Sequence, residues 1–132
     1  RSAWRCIGRG LCQPPCRPRS VLGLLGGIGP NPEAVAHMKR TAGRLFGDGY
    51  VWSVLGAGRN QMPIAAQSLA MGGNVRVGLE DSLWDGPGQL AKSNADQVRR
   101  ARAMIEALSL EVATPDEARQ ILGLKGRENV SF

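Results

Sequence analysis

The sequence predicts an α/β fold in which parallel strands alternate with helices. Three short apolar runs with the character of strands are each followed by a segment with helical periodicity. The connections between them are short and rich in glycine, which favours parallel strands joined by right-handed crossovers. With 132 residues, the chain fits either an open doubly wound sheet or part of an eight-stranded (β/α) barrel, because a complete barrel needs about 250 residues.

The first predicted strand is the apolar run at residues 21–25, which ends at two glycines and is typical of a strand buried on both faces. A helix should follow, capped by Asn31 and with Pro32 and Glu33 in its first turn. This helix is expected to end near Gly47. Its expected buried stripe comprises Val35, Met38, Ala42 and Leu45.

The second predicted strand covers residues 50–55 and leads into a short helix from about Gln61 to Met71. The intervening Gly56 and Gly58 are similar to part of a dinucleotide-binding turn. However, Gln61 stands where that fingerprint needs its third glycine, so the sequence does not predict a dinucleotide site. Two further glycines then turn the chain into the third strand.

The third predicted strand, residues 74–81, ends in two adjacent carboxylates. Because side chains alternate along a strand, Arg76 and Glu80 should share one face with Gly78, which leaves room beside both. Asp81 should point to the opposite face. Functional groups collect at the carboxyl ends of parallel strands, so these charges indicate a site. A plain surface ion pair between Arg76 and Glu80 is the alternative interpretation.

Two helices complete the predicted order. The first begins near Ser93 or Asn94. Its expected buried stripe comprises Val98, Ala101, Ile105 and Leu108. The second begins at Thr114, whose side chain can form a capping box with Glu117, and it ends near Gly123.

The charge distribution separates the N-terminal stretch from the rest of the chain. A net charge of +6 would ordinarily suggest nucleic acid or an acidic membrane surface as partner. Five arginines and no acid lie in the first twenty residues, whereas the remainder contains twelve basic and eleven acidic residues. We therefore expect residues 1–19 to be disordered or non-native, residues 20–132 to form the folded part, and no nucleic acid to bind that part.

The cysteines and the histidine do not form a recognisable metal or disulfide pattern. Cys6, Cys12 and Cys16 are spaced C-x5-C-x3-C without a fourth ligand nearby, which does not fit a zinc knuckle. The only histidine, His37, lies within the first predicted helix, where we expect it on the surface or in packing and not as a metal ligand. We find neither an apolar run long enough for a membrane span nor the apolar core of a secretory signal, so we expect a cytoplasmic protein without a membrane partner.

Three segments carry a family resemblance. The run GGNVRVGLEDSLW at residues 72–84 is followed by LAKSNA at residues 90–95 and EVATPDEAR at residues 111–119. Together they closely resemble the C-terminal part of the β-keto acid cleavage enzymes, a family that includes the 3-keto-5-aminohexanoate cleavage enzyme of lysine fermentation. The segments at residues 26–29 and 51–61 are similar to the two preceding strand–loop units of the same family.

The resemblance implies a fold and a set of site residues. The chain would be the C-terminal part of a (β/α)8 TIM barrel, with three parallel strands and their helices but without barrel closure. The family's zinc-binding glutamate matches Glu80, and its catalytic arginine and aspartate match Arg76 and Asp81. The family's other zinc ligands are an H-x-H pair on an early strand, a pattern that is absent from this sequence.

The reaction that the resemblance implies is an acyl exchange. A β-keto acid and acetyl-CoA give acetoacetate and a new CoA thioester, by condensation followed by retro-Claisen cleavage. The residue types suit this chemistry. A divalent metal on the keto oxygen would stabilise an enolate, a nearby carboxylate would move a proton, and a guanidinium would orient a carboxylate or stabilise developing negative charge.

The missing ligands and strands imply that this chain alone is inactive and binds zinc poorly. The full-length enzyme is expected to form a homo-oligomer. The sequence does not identify the β-keto acid, because other parts of the barrel would build most of its pocket. A hypothesis from a different class is a non-catalytic α/β module that binds nucleic acid or anions through the arginines of residues 1–19.

Overall fold

The computed structural model describes residues 15–130. The strands in that part of the chain are β1 (Arg19–Leu22), β2 (Ser53–Gly56), β3 (Asn74–Val75), β4 (Trp84–Gly86) and β5 (Gln89–Leu90). The helices are α1 (Pro32–Phe46), α2 (Gln61–Ala70), α3 (Asn94–Ala107) and α4 (Pro115–Ile121), with short 3-10 helices at Gly58–Asn60 and Arg127–Asn129. The mixed α/β class and the alternation of strands with helices are those that the sequence predicts.

The strands β1, β2 and β3 form a parallel sheet with β2 at its centre. Ser20 of β1 pairs with Val54 of β2, and Val54 also pairs with Val75 of β3. The prediction of three parallel strands is confirmed. Within the described residues β1 and β3 each pair with β2 only, so each has one edge without a strand partner. The carboxyl ends of all three strands lie along one edge of the sheet.

The core is built from β1, β2, α1 and α2. Its buried members are Leu22, Ala34, Val35, Ala42, Trp52, Val54 and Ile64. The Trp52 indole Nε1 donates a hydrogen bond to Ser20 Oγ at 3.0 Å, so the polar atom of this large side chain has a partner inside the core. Burying an apolar side chain of this size stabilises the fold by about 1.5–3 kcal/mol.

Helix α1 begins and ends where the sequence predicts. The Asn31 side chain accepts a hydrogen bond from the Ala34 amide at 2.8 Å, and Gly47 follows the last turn with a φ of 58°. Of the expected buried stripe, Val35 and Ala42 are buried and Met38 and Leu45 are half-buried. His37 is exposed, which is the surface position of the two that the sequence leaves open.

The first strand lies closer to the N-terminus than predicted. It ends at Leu22 because Gly23 adopts a φ of 87°, which turns the chain. The prediction of a buried strand through Leu25 is therefore wrong, and that side chain is fully exposed. At the other end, Cys16 forms an isolated parallel bridge with Tyr50, so backbone pairing with the neighbouring chain segment starts before β1.

A short antiparallel hairpin follows the third strand. Its strands β4 and β5 pair Trp84 with Leu90 and Gly86 with Gln89. Glycine and proline in this segment favour a loop, so the sequence does not predict the hairpin. Gly88 supplies the left-handed φ of 72° that its tip requires.

Helices α3 and α4 begin as predicted. The Ser93 side chain accepts a hydrogen bond from the Asp96 amide at 3.1 Å. The capping box between Thr114 and Glu117 is present with both of its hydrogen bonds, and Gly123 follows α4 with a φ of 53°. These helix starts depend only on residues within one turn, which is why the sequence identifies them.

The buried face of α3 differs from the prediction. Gln97 and Ala101 are buried, whereas Val98 and Leu108 are 54% and 45% exposed. The predicted stripe is therefore wrong at Val98 and Leu108. The cause is Gln97, whose side chain takes the inward position to bond a backbone carbonyl beneath the helix.

Predictions that fall on residues 1–14 lie outside the described residues. They include those for Cys6 and Cys12 and for most of the 1–19 segment. Cys16, which is described, is a free cysteine. Between residues 15 and 130, none of the helices combines the length and the apolar character needed to cross a bilayer.

Replacing Gly56 with alanine should destabilise the chain by about 1–3 kcal/mol. A Cβ there would lie 2.8 Å from both the Asn60 carbonyl oxygen and Ile64 Cβ, and α2 would have to shift to relieve the overlap. Gly43→Ala on α1 is the control, because only the Tyr50 hydroxyl at 3.7 Å lies near that position. Urea unfolding measures both variants. Equal destabilisation of the two would contradict the close approach of β2 and α2.

Candidate functional site

The third strand ends earlier than predicted and leads into a tight turn. Backbone pairing with β2 continues only as far as the Arg76 amide, which donates a hydrogen bond to that strand at 3.0 Å. The Gly78 carbonyl then accepts hydrogen bonds from the amides of Asp81 and Ser82, both at 3.1 Å. Residues 78–82 therefore form a turn at the carboxyl end of the sheet, which we call the site turn.

Arg76 contacts both carboxylates of the predicted site. Its Nη2 atom donates a hydrogen bond to Glu80 Oε1 in an ion pair, and its Nε atom lies 3.3 Å from Asp81 Oδ2. The side chains of Arg76, Glu80 and Asp81 are 38%, 57% and 16% exposed. One guanidinium thus bridges two carboxylates, of which Glu80 faces water and Asp81 is largely covered. We call these three residues the Arg76 cluster.

The site turn changes the predicted direction of one side chain. Asp81 points towards Arg76 and not to the opposite face, so that prediction is wrong, because strict alternation holds only in an extended strand. Glu80 and Arg76 meet as predicted, and Gly78 permits this contact, since a Cβ there would overlap the Glu80 carboxylate. The ion pair that the sequence leaves open as an alternative is therefore present within the cluster.

Hydrogen bonds and charge keep Arg76 and Glu80 of the cluster ionised. The Glu80 carboxylate accepts hydrogen bonds from its own backbone amide and from Arg76, and these lower its pKa below that of an ordinary glutamate. The hydrogen bond to Glu80, followed by the negative charge of Asp81, raises the pKa of Arg76. At neutral pH the cluster thus offers a permanently charged fork of donors beside an ionised, accessible carboxylate.

Two buried glutamines hold the site turn. Gln61, at the start of α2, is 2% exposed and donates from Nε2 to the Gly78 carbonyl at 2.9 Å. Gln97, near the start of α3, is fully buried and donates from Nε2 to the Ser82 carbonyl at 2.7 Å. Each glutamine fixes one end of the turn, and burial makes the loss of such a bond costly.

Two further hydrogen bonds fix the middle of the turn. The Gly58 amide donates to the Asp81 carbonyl at 2.8 Å, and the Leu79 amide donates to Asn94 Oδ1 at 2.7 Å. These partners lie in the loop after β2 and at the start of α3. The position of the Arg76 cluster is thus set by two helix starts that are distant from it in sequence.

The role of both glutamines is not predicted from the sequence. Glutamine is usually exposed, so a single glutamine on a helix does not indicate a buried position. A signal was nevertheless available, because each glutamine precedes a buried alanine by four residues and so shares its helix face: Gln61 with Ala65, and Gln97 with Ala101.

The described residues do not by themselves form a zinc site. Between residues 15 and 130 there is no group of three or more His, Cys, Asp or Glu side chains that could hold a metal ion. Glu80 and Asp81 supply two carboxylates, both next to Arg76, whereas protein zinc sites use three or four ligands. Glu80 can serve as a zinc ligand only together with groups from elsewhere.

Comparison with known protein families gives one match over most of the chain. The match is to the beta-keto acid cleavage enzyme family and spans residues 1–124. It includes the arginine-rich N-terminal stretch as well as the parallel sheet and the site turn. This is the family that the sequence resemblance indicates.

Three curated relatives resemble the chain along most of its length. The 3,5-dioxohexanoate:acetyl-CoA acetone transferase of Paraburkholderia graminis is 62% identical over 126 residues, which is 96% of this chain and 41% of that enzyme. The 3-keto-5-aminohexanoate cleavage enzyme of Acetoanaerobium sticklandii is 36% identical over 92% of this chain and 43% of its own length. The 3-oxoadipate:acetyl-CoA acetyltransferase of Cupriavidus necator is 37% identical over 82% of this chain and 38% of its own length. The chain spans about two fifths of these relatives.

Replacing Arg76 with glutamine should raise the pKa of Glu80 towards that of an ordinary glutamate, because one of the two hydrogen bonds that lower it is lost. Glu117 is the internal control, since Thr114 lowers its pKa through a backbone amide and a hydroxyl that the change does not touch. NMR titration of the side-chain carboxyl carbons measures both groups. An unchanged Glu80 titration would show that the ion pair does not exist in solution.

The stability lost in the same variant should depend on pH, with a sign that follows from the Glu80 pKa. The pKa of Glu80 is lowered in the folded chain, so its stabilising effect is present above the unfolded pKa and is lost as pH falls through the folded pKa. The stability difference between the wild-type chain and Arg76→Gln should therefore decrease on acidification. Urea unfolding at neutral and acidic pH tests this, and a difference that grows with acid would refute it.

Replacing Gln97 with methionine should destabilise the chain by about 1–3 kcal/mol, because the buried Ser82 carbonyl loses its donor while the side-chain volume is kept. Val98→Ala is the control on the same helix. Its exposed side chain should change stability by no more than about 0.5 kcal/mol. Urea unfolding compares the two. Similar midpoints would mean that the bond from Gln97 does not stabilise the turn.

Proposed function

Because this chain belongs to the beta-keto acid cleavage enzyme family, we propose that it is the C-terminal part of an enzyme that exchanges acyl groups between a β-keto acid and acetyl-CoA. The acetyl group is transferred to the methylene carbon of the keto acid, and the acyl group of the keto acid leaves as a new CoA thioester. Acetoacetate is the other product. The contact of Arg76 with both Glu80 and Asp81 at the carboxyl end of a parallel sheet carries this proposal.

The names of the relatives support these substrate classes. The names of the P. graminis and C. necator enzymes describe transferases with acetyl-CoA as a substrate, and the names of all three relatives specify a keto or oxo acid. The three acids differ from one another. We therefore propose a β-keto acid and acetyl-CoA as substrates of the full-length enzyme and do not choose among the acids.

We propose a (β/α)8 barrel for the full-length enzyme, with its last three strands in this chain. The unpartnered edges of β1 and β3 in the described residues are where neighbouring barrel strands would pair. The site turn follows the last of the three strands at its carboxyl end, which is where barrel enzymes carry their chemistry. Coverage of about two fifths of the relatives agrees with three strand–helix units out of eight.

Arg76 and Asp81 are the proposed catalytic residues. The planar guanidinium of Arg76 can orient the substrate carboxylate or stabilise negative charge on the keto oxygen. Asp81 lies beside it, is only 16% exposed, and can take up the proton that the methylene carbon loses during condensation. Asp81 is held by the anchored turn and the Arg76 backbone by its hydrogen bond to β2, so their relative position is set before the substrate binds.

Glu80 is the proposed zinc ligand of the full-length enzyme. It is ionised and is the most accessible member of the Arg76 cluster. The other ligands would be the histidines of an H-x-H pair, supplied by the part of the relatives that this chain does not cover. We therefore propose that the chain alone is inactive and binds zinc poorly.

The proposed substrates indicate the cellular location of the enzyme. An acetyl-CoA-dependent reaction needs an intracellular supply of that thioester, so we place it in the cytoplasm. We propose a homo-oligomer, with neither nucleic acid nor membrane as a partner. The alternative of a basic anion-binding module depends on the arginines of residues 1–19, and a family match that extends over that stretch favours the enzyme.

In the full-length enzyme, Arg76→Lys should lower turnover about 100-fold or more, because lysine keeps the charge but loses the planar fork of donors. Arg102→Lys is the matched control. Arg102 pairs with Glu106 on the exposed face of α3 at 2.7 Å, and its replacement should leave turnover unchanged. Acetoacetate release from a β-keto acid and acetyl-CoA measures both. Equal activities of the two variants would refute a catalytic role for Arg76.

Zinc titration of a metal-free sample of the 132-residue chain should reveal no submicromolar binding, because its sequence lacks the H-x-H pair and residues 15–130 hold no group of three or more His, Cys, Asp or Glu ligands. The full-length enzyme should bind zinc tightly, and Glu80→Gln should weaken that binding while Glu106→Gln should not. Calorimetry measures all four affinities. Submicromolar affinity in the isolated chain would contradict the proposal.

A further inference from the structure

A groove beside the site turn has no role in the chemistry proposed above. Residues 58–63, at the start of α2, form one wall, and residues 84–88, in the hairpin, form the other, with Arg100 of α3 between them. The cavity volume is about 630 Å³, which is typical of small-molecule and cofactor sites. Like the Arg76 cluster, it lies beyond the carboxyl ends of the strands.

The groove adjoins the site turn directly. Gly58 lines the groove and donates its amide hydrogen bond to the Asp81 carbonyl at 2.8 Å. Gln61 lines it too and donates to the Gly78 carbonyl at 2.9 Å. A molecule in the groove would therefore lie against the residues that support the Arg76 cluster.

Arg59 gives the groove a positive charge that no carboxylate between residues 15 and 130 pairs. The other cation of the groove, Arg100, bonds both the Asp85 carbonyl and Asp85 Oδ1, the latter at 2.8 Å, and is thereby neutralised. Arg59 is exposed and takes part in none of the six ion pairs of the described residues. An exposed guanidinium on a cavity wall suits an anion, and a phosphate group in particular.

The remaining lining suits an apolar chain. Met62, Pro63 and Pro87 provide apolar surface, and the Trp84 indole is 46% exposed. The Gln61 Oε1 atom is buried and has no hydrogen-bond partner in the described part of the chain. Because that atom is closed to solvent, a ligand in the groove does not reach it.

We propose that this groove binds the pantetheine–diphosphate arm of acetyl-CoA. The diphosphate lies at Arg59, and the apolar wall contacts the pantetheine. The thioester end then faces the site turn and the Arg76 cluster. This inference rests on the proposed function, because that proposal makes acetyl-CoA a substrate.

Steady-state kinetics of the full-length enzyme test the groove. Arg59→Glu should raise the KM for acetyl-CoA about tenfold or more, because a charged hydrogen bond to phosphate is replaced by repulsion. The turnover number and the KM for the β-keto acid should change by no more than about twofold. Arg40→Glu, with the same change of charge on the exposed face of α1, is the matched control and should change none of these values.

Binding measurements test the groove independently of the reaction. In calorimetric titrations, coenzyme A should bind Arg59→Glu more weakly than the wild-type enzyme, whereas pantetheine, which lacks phosphate, should bind both equally. If Arg59→Glu keeps the wild-type KM for acetyl-CoA and the wild-type affinity for coenzyme A, the proposed role of the groove is wrong. The proposed function is unaffected by that result, provided that acetoacetate is still formed. A full-length enzyme that forms no acetoacetate with acetyl-CoA would overturn the proposed function, and this inference with it.

Discussion

The site turn depends on hydrogen bonds from side chains that are buried beneath it. Gln61 and Gln97 bond the carbonyls at its two ends, and the Gly58 amide and the Asn94 side chain bond its middle. All four partners lie in or just before the first turns of α2 and α3. The packing of these helices therefore sets the position of Arg76 relative to its two carboxylates. Gly58 and Gln61 also line the groove, so one rigid support holds both proposed binding regions.

Much of the fold could be predicted because its signals are local. A helix start depends on the capping residue and the next three amides, so Asn31, Ser93 and Thr114 identify three helices correctly. The parallel sheet follows from the alternation of strands and helices with short connections. The meeting of Arg76 with Glu80 also follows from their spacing, although they meet across a turn and not along a strand.

The rest of the site depends on contacts between residues that are distant in sequence. Side-chain alternation along a strand predicts that Asp81 and Arg76 lie on opposite faces. The hydrogen bonds that end the strand are not evident from the local sequence pattern. Apolar periodicity likewise predicts that Val98 is buried, because such a pattern reflects only the free energy of burying apolar side chains. The bond from Gln97 to the Ser82 carbonyl reverses that preference, and only the folded chain brings these two groups together.

A crystal structure of the full-length enzyme with zinc and acetoacetate bound is the most direct test. We expect Arg76 to contact the bound acetoacetate, Glu80 to bind the metal, and the Gln61 and Gln97 side chains to keep their hydrogen bonds to the site turn. Acetoacetate bound away from Arg76, or a zinc ion whose ligands exclude Glu80, would contradict the assignment of the active site to this turn.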